Sequence, residues 1–385
     1  MSKRIDSPWN LPDKTVTRAD EVDRDIRITD FVLMATLPLR VLEVAGLPIN
    51  ELTMGLLVVL AAMRPARGGA RLPGAVVILL GSLLVLLTYS GLANDVDWTR
   101  RVGHVAIMAG LVWAFGTGRI SLRSAAAGLA AGLIAVVALG LAGIGGGTYV
   151  GRLTGYLGDP NAGAFFIAVL GILAVFFSDP RWKVRLVIAV PIVAGLILTY
   201  SRTGLLAGAF AAVWVLLGRR LGVAGGGLFA FALVWLVGNI PDSIVTFGPF
   251  SNRSGSDALR ERIIAQERVQ IADAPWYGHG PGTAKVRIQD LDFFFHNSYL
   301  ATRQEGGWGA LALVLGLMAY AFLTLSRQSR RGDMYAAGAQ AAIIGVGVMG
   351  ITLGEVLLDT PMAIAVGFAL AQATRGPALE ESTSG

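Results

Sequence analysis

The residues of this chain that could do chemistry are a few cations and histidines set at the edges of apolar runs. Arg202 stands in Thr199-Tyr200-Ser201-Arg202-Thr203-Gly204, between two apolar runs with almost no loop. If those runs lie in a bilayer, a charge there is costly unless it is paired or put to use. Snorkelling to the interface is the structural alternative. His296 lies in Phe293-Phe294-Phe295-His296-Asn297-Ser298-Tyr299, where an aromatic run meets the start of another apolar segment, with Arg303 and Glu305 just beyond. The aromatic run suggests a loop dipping into the interface. A lone histidine there is either a structural donor or a functional group. Arg260 opens an amphipathic helical stretch over 257–272, whose plain reading is a solvated helix with local ion pairs. The turn Gly278-His279-Gly280-Pro281-Gly282 could bring backbone N–H groups near an anion or simply reverse the chain. Arg152 precedes Asp159-Pro160-Asn161, a helix-start signal whose structural role is capping.

The elements that must position these residues follow from composition. Of 385 residues, 54% are hydrophobic and 15% charged, against roughly 25% charged in soluble domains. So small a charged fraction cannot cover a soluble surface of this size. The 50 glycines suit helices that approach closely where no hydrophobic force drives them together. The net charge of +6 falls mostly in short loops. That points to control of membrane topology rather than to a nucleic-acid partner. The absence of Cys excludes disulfides and Cys metal sites, and three histidines (His104, His279, His296) argue against a multi-histidine metal site.

A membrane-spanning helix needs about 20 apolar residues. Candidates lie at 30–47, 49–63, 72–90, 102–117, 121–144, 160–177, 184–200, 203–218, 222–240, 306–325, 335–357 and 360–373. The expected fold is therefore all-α, a polytopic bundle of about twelve spans, or ten to eleven if the first two form a bent pair around Pro48. With a cytoplasmic N-terminus, thirteen Lys and Arg fall in the short loops of one side (Arg64, Arg119, Arg181, Arg219 and Arg327 among them). Only Arg100, Arg101, Arg152 and Arg202 fall in those of the other. The positive-inside rule then puts both termini in the cytoplasm. The expected organisation is a polar cytoplasmic tail at 1–29, a bundle at 30–240, a large extracytoplasmic loop at 241–305, C-terminal helices at 306–373 and a cytoplasmic tail at 374–385. The first 29 residues lack the apolar core of a signal peptide. A loop of this length is functional or disordered, and its Trp276, Tyr277, triple Phe at 293–295 and helical segment at 257–272 favour the first reading. Arg152, Asn161, Arg202, Arg260 and His296 all fall on its side.

Four of these motifs, in order, resemble the O-antigen ligase and O-antigen polymerase superfamily of bacterial membrane proteins. Asp159-Pro160-Asn161 resembles its upstream turn, and Ser201-Arg202-Thr203-Gly204 its SRxG element. Arg260 with Ile271-Ala272-Asp273-Ala274-Pro275-Trp276-Tyr277-Gly278-His279-Gly280 resembles its loop pattern. His296-Asn297-Ser298-Tyr299-Leu300 with Glu305-Gly306 resembles its HNxxL…xExG element. The resemblance covers roughly residues 150–325. Ile264 replaces a frequent Trp, and His279 stands where an apolar residue is usual, which adds a polar contact near the substrate.

The resemblance implies a metal-independent, inverting glycosyltransferase that needs no cofactor. It would move a glycan from a polyprenyl diphosphate to an acceptor hydroxyl at the extracytoplasmic face of a bacterial inner membrane. Its partners would be the lipid-linked glycan donor, a glycan or lipid acceptor such as lipopolysaccharide core, and membrane lipids, with no nucleic acid. A leaving diphosphate calls for arginine forks, which assigns Arg202 and Arg260. His296 would take the acceptor proton near neutral pH. Arg152, Asn161, Tyr200, Ser201, His279, Asn297, Arg303 and Glu305 are the expected substrate contacts, and no residue is assigned to a metal. The alternatives are a polymerase, which would extend a lipid-linked glycan by the same chemistry, and a transporter or flippase. The transporter is disfavoured by spans largely free of charge, with Glu43, Glu355 and Asp359 only near their predicted ends.

Overall fold

A computed structural model describes residues 26–67, 70–146, 149, 151–238 and 254–375. The expected tails and the first part of the long loop lie largely outside these residues. The described chain is a helix bundle with two small β-hairpins. Its helices are α1 (Ile28–Thr36), α2 (Ile49–Ala62), α3 (Gly74–Ala93), α4 (Thr99–Gly116), α5 (Leu122–Leu141), α6 (Pro160–Phe177), α7 (Trp182–Leu198), α8 (Arg202–Gly238), α9 (Ser254–Ala272), α10 (Ser298–Thr324), α11 (Ser326–Arg330), α12 (Met334–Met349) and α13 (Thr360–Ala373). One hairpin pairs β1 (Glu43–Val44) with β2 (Leu47–Pro48), the other β3 (Lys285–Ile288) with β4 (Leu291–Phe294), both antiparallel.

Four helices, α3, α5, α6 and α10, are long and apolar enough to cross a membrane. Four shorter apolar stretches accompany them: α2, residues 202–218 of α8, α12 and α13. The count of twelve spans is not what the described residues show, and two differences have a clear cause. The expected break at Arg219-Arg220 is absent, and one 37-residue helix runs from Arg202 to Gly238. Arginine is a good helix former, and the flanking Gly218 and Gly222 each cost only about 1 kcal/mol, too little to stop a helix without proline. At 1.5 Å per residue α8 is about 55 Å long, well beyond a hydrocarbon core of about 30 Å. The expected span 335–357 ends at Met349, and residues 350–359 form a partly buried loop instead.

α6 and α13 are the centre of the bundle, and every residue of α13 from Thr360 to Gln372 is buried. The tight helix pairs depend on small residues. On α5, Gly128-Leu-Ala-Ala-Gly132 is a four-residue glycine spacing that admits α1 at backbone distance. A Cβ at either glycine would stand 2.2 Å from the carbonyl oxygen of Phe31 or Ala35. This short helix, ending at Thr36, replaces most of the expected first span.

The bundle has two chemically distinct ends. At one, the buried Asp30 accepts from Arg64 Nη1 at 2.5 Å and from the Ser121 backbone N–H at 2.8 Å. Asp179 is paired with Arg181 at 2.8 Å and Arg123 at 3.7 Å, and Gln372 donates to Asp333 at 3.0 Å. These belong to the loops expected on the cation-rich side. At the other end the starts of α4, α6, α10 and α13 meet α9 and the β3–β4 hairpin around open cavities.

Candidate functional site

His296 is placed from both sides by its neighbours in sequence. Upstream, β3 and β4 pair Lys285 with Phe294 and Val286 with Phe293 around Gln289 and Asp290, both at positive φ as a two-residue turn requires. The triple phenylalanine is therefore a strand and its anchor rather than an irregular loop. Phe295 is buried with Ile263, Ile271, Val286 and Ala301 in a small core of its own. Downstream, the Asn297 side chain caps α10, accepting from the N–H groups of Tyr299 and Leu300 at 2.9 and 3.1 Å. Ser298 Oγ accepts from the N–H groups of Val356 and Leu357 at 3.1 and 2.9 Å, which fastens the 350–359 loop. The Tyr299 hydroxyl donates to the Gly347 carbonyl at 2.7 Å. Asn297 therefore has a structural use, while His296 is left to face a cavity.

The His296 backbone N–H donates to Glu267 Oε1 at 2.5 Å. Glu267 is fully buried on α9, and its Oε2 has no hydrogen-bond partner among the described residues. Burial pushes its carboxyl up to about 7. Burial also lowers the His296 imidazole below its ordinary value, and the Arg260 guanidinium lowers it further, against a smaller opposing pull from Asp159. His296 is thus held neutral at neutral pH, the form that accepts a proton.

The cavity beside His296 has a volume of about 530 Å³. Arg260, Asp159, Asn161 and Tyr149 line it with His296. Asp159 caps α6, accepting from the N–H groups of Asn161 and Ala162 at 2.8 and 3.0 Å, so the helix-start reading is correct. The Asn161 side chain remains at the cavity, where its Oδ1 accepts from Arg152 Nη2 at 3.3 Å. Arg152 Nε donates to the Thr199 carbonyl at 2.8 Å, so it ties α6 to the turn that carries Arg202. In that turn Tyr200 adopts φ +48°, and Ser201 Oγ accepts from the Gly204 N–H at 3.3 Å, starting α8. Arg202 is the first residue of α8. The hydroxyl of the adjacent Thr203 is hydrogen-bonded to that of Thr352, a residue of the cavity wall.

The structure therefore gathers Arg152, Asn161, Arg260, His296 and the 199–202 turn, residues up to 144 positions apart, at one place. It leaves three expected contacts elsewhere. Arg303 donates to the Ile271 carbonyl at 3.4 Å and lies 4.3 Å over the Trp308 ring. His279 donates its N–H to the Gln304 carbonyl at 2.7 Å in the tight packing of the 275–280 turn on α10. That packing needs glycine. Gly307 has φ +70°, and a Cβ there would fall 1.8 Å from the Trp276 carbonyl oxygen, so α10 breaks at Gly306–Gly307. Glu305, just before the break, lines a second and larger cavity, where its Oε2 accepts from Arg101 Nε at 3.0 Å.

Sequence reasoning missed Arg40, Arg101, Glu267, Glu355 and Asp359. Arg101 is clasped by Glu355 as well as Glu305, at 3.2 Å. Arg40, Glu355 and Asp359 line both cavities. The signal for the last two was their position, two carboxylates next to an apolar run, but they were read as span ends. Glu267 carried no signal beyond the amphipathic pattern of α9.

Residues 187–315 match the family model described as O-antigen ligase. No curated protein matches the chain. The matched stretch contains Arg202, Arg260 and His296 and the elements that carry them.

Proposed function

We propose that this chain, residues 187–315 of which match the O-antigen ligase family model, transfers a glycan from a polyprenyl diphosphate carrier to an acceptor hydroxyl. The observation that supports this reading best is the shared cavity. A neutral-held histidine and an arginine from two different elements line it, and Arg152 and Thr203 link it to the turn that carries Arg202.

In the proposed reaction the acceptor oxygen attacks the anomeric carbon from the face opposite the diphosphate. The new C–O bond forms as the bond to the diphosphate oxygen breaks, which inverts the anomeric centre. His296 takes the acceptor proton. The leaving diphosphate carries its electron pair away, and Arg260 and Arg202 offset its charge with planar forks suited to phosphate oxygens. Arg152 holds Asn161 and the 199–202 turn in register. A general base contributes typically 10²–10⁴-fold, with an effective value near the working pH, which fits a histidine held below its ordinary value by burial.

The cavity end would face the extracytoplasmic side of an inner membrane, and both termini the cytoplasm. The cation-rich loops, which meet at the opposite end of the bundle, support that orientation. A ligase, rather than a polymerase that extends a lipid-linked glycan, is the reading adopted.

Reconstitution of the purified protein with a polyprenyl-diphosphate-linked oligosaccharide, with and without acceptor lipid, tests the proposal. A new glycosidic product that requires the acceptor is expected. Translocation of the donor without a product would make the chain a carrier, and neither result would overturn both readings.

A further inference from the structure

The larger cavity, about 890 Å³, adjoins the His296 cavity, and the two share Arg40, Phe294, Glu355 and Asp359 as a common wall. His296 and Arg260 line only the smaller one. A group transferase must hold two substrates side by side and bring one hydroxyl of the second to the base beside the first. Two adjoining chambers of unequal chemistry are the arrangement that this requires. The larger lies within the roughly 300–1,000 Å³ range of ligand sites.

Its lining has the character of a sugar site. Glu51, Asp97, Glu305, Glu355 and Asp359 bring carboxylates to it. Arg40, Arg100, Arg101 and Lys285 line it as well, and Arg101 is clasped by Glu305 and Glu355. Asn50 lies on the same wall, and its Oδ1 is buried with no hydrogen-bond partner among the described residues. Carboxylate and amide oxygens accept hydrogen bonds from hydroxyl groups, and guanidinium and ammonium groups donate to them, so this lining can satisfy sugar hydroxyls in both directions.

We infer that the larger cavity is the acceptor subsite, and that it takes a hydroxyl-rich sugar segment of the acceptor. One acceptor hydroxyl would reach past the wall of Phe294, Glu355 and Asp359 to His296. This rests on the glycosyl transfer proposed above.

Gly103 offers a clean test. It lines the larger cavity only, and a Cβ there meets nothing within 4 Å. Gly103→Trp should fill the chamber without touching the smaller one. The assay uses the full-length protein in detergent with a saturating polyprenyl-diphosphate-linked oligosaccharide. The titrated acceptor is the glycolipid fraction of the source membranes.

The acceptor KM of Gly103→Trp should rise at least about tenfold while the donor KM stays within about twofold, since only the acceptor's hydrogen bonds and space are removed. Glu51→Gln adds no volume and should raise the acceptor KM in the same direction, which keeps the test available if the tryptophan variant fails to fold. An unchanged acceptor KM in both variants, or a rise confined to the donor KM, would overturn the subsite. Absence of transfer by the wild-type protein would instead defeat the proposed function, which separates the two failures.

Discussion

The two ends of this bundle contain the same kinds of charged residue and use them in opposite ways. At the cation-rich end they are closed into pairs. Asp30 is buried with both oxygens occupied, by Arg64 and the Ser121 N–H, and Asp179 is held by Arg181 and Arg123. At the other end Arg101 is paired with Glu305 and Glu355, but His296, Arg260 and Asn161 line an open cavity. A charge closed into a pair contributes to the fold. A charge kept at a cavity wall is available to a substrate, at some cost in stability.

Substitutions at the two ends should therefore fail differently. The largest effect is expected at the cavity. His296→Ala or Arg260→Ala should lower transfer by at least about 100-fold, the scale of a lost general base or charge stabiliser. The amount of folded, inserted protein should be unchanged, as read by size-exclusion chromatography and thermal unfolding. Turnover near wild type in both variants would remove the cavity from the mechanism.

Asp30→Ala should show the reverse pattern. It leaves Arg64 without its buried partner, and breaking such a pair costs about 3–5 kcal/mol. Thermal unfolding should shift down clearly, with turnover per folded molecule unchanged. A loss of turnover without a loss of stability would erase the contrast between the ends.

Arg202→Lys should reduce transfer about tenfold or more, because an ammonium cannot form the two-pronged contact of a guanidinium. Full activity would make Arg202 a purely structural start to α8.

The smallest effects concern pH. Transfer needs neutral His296, so activity should fall as pH drops through the histidine's titration, with a midpoint below its ordinary value of about 6.5. Glu267 titrates upward, to about 7. Its folded-state value is raised, so the stability it contributes is present below the unfolded value of 4.5 and is lost as pH rises through about 7. Glu267→Gln should remove that loss, so its thermal midpoint should gain on wild type between pH 5.5 and 8. An equal offset at both pH values would contradict the buried-carboxylate reading.

Much of the fold was legible because hydrophobic runs and caps are local signals. The run 160–177 became α6 at those bounds because Asp159 caps it and Pro160 suits its first turn. The break expected at Arg219-Arg220 failed because charge suggests a loop but does not force one. The strand at 291–294 was missed because Phe293-Phe294-Phe295 reads as an apolar patch, and pairing with 285–288 is a property of two segments.

The candidate site divides in the same way. Arg260, His296, Arg202 and Asn161 could be named from their motifs, since each motif is a short run of residues. Glu267, Arg101, Glu355 and Asp359 could not. Each matters through a partner far along the chain, such as Arg101 with Glu305 across 204 positions.

The amino-acid sequence by itself determined that this chain is a membrane helix bundle and which end of its helices carries the sparse, unusual cations. Those properties follow from composition and order, and water and lipid enforce them on any fold that the chain adopts. The tertiary structure alone decided that the sparse residues meet, that a buried carboxylate stands behind His296, and that a second charged cavity opens beside the first. Such facts depend on the distance between side chains, and only the packing of helices against one another sets that distance.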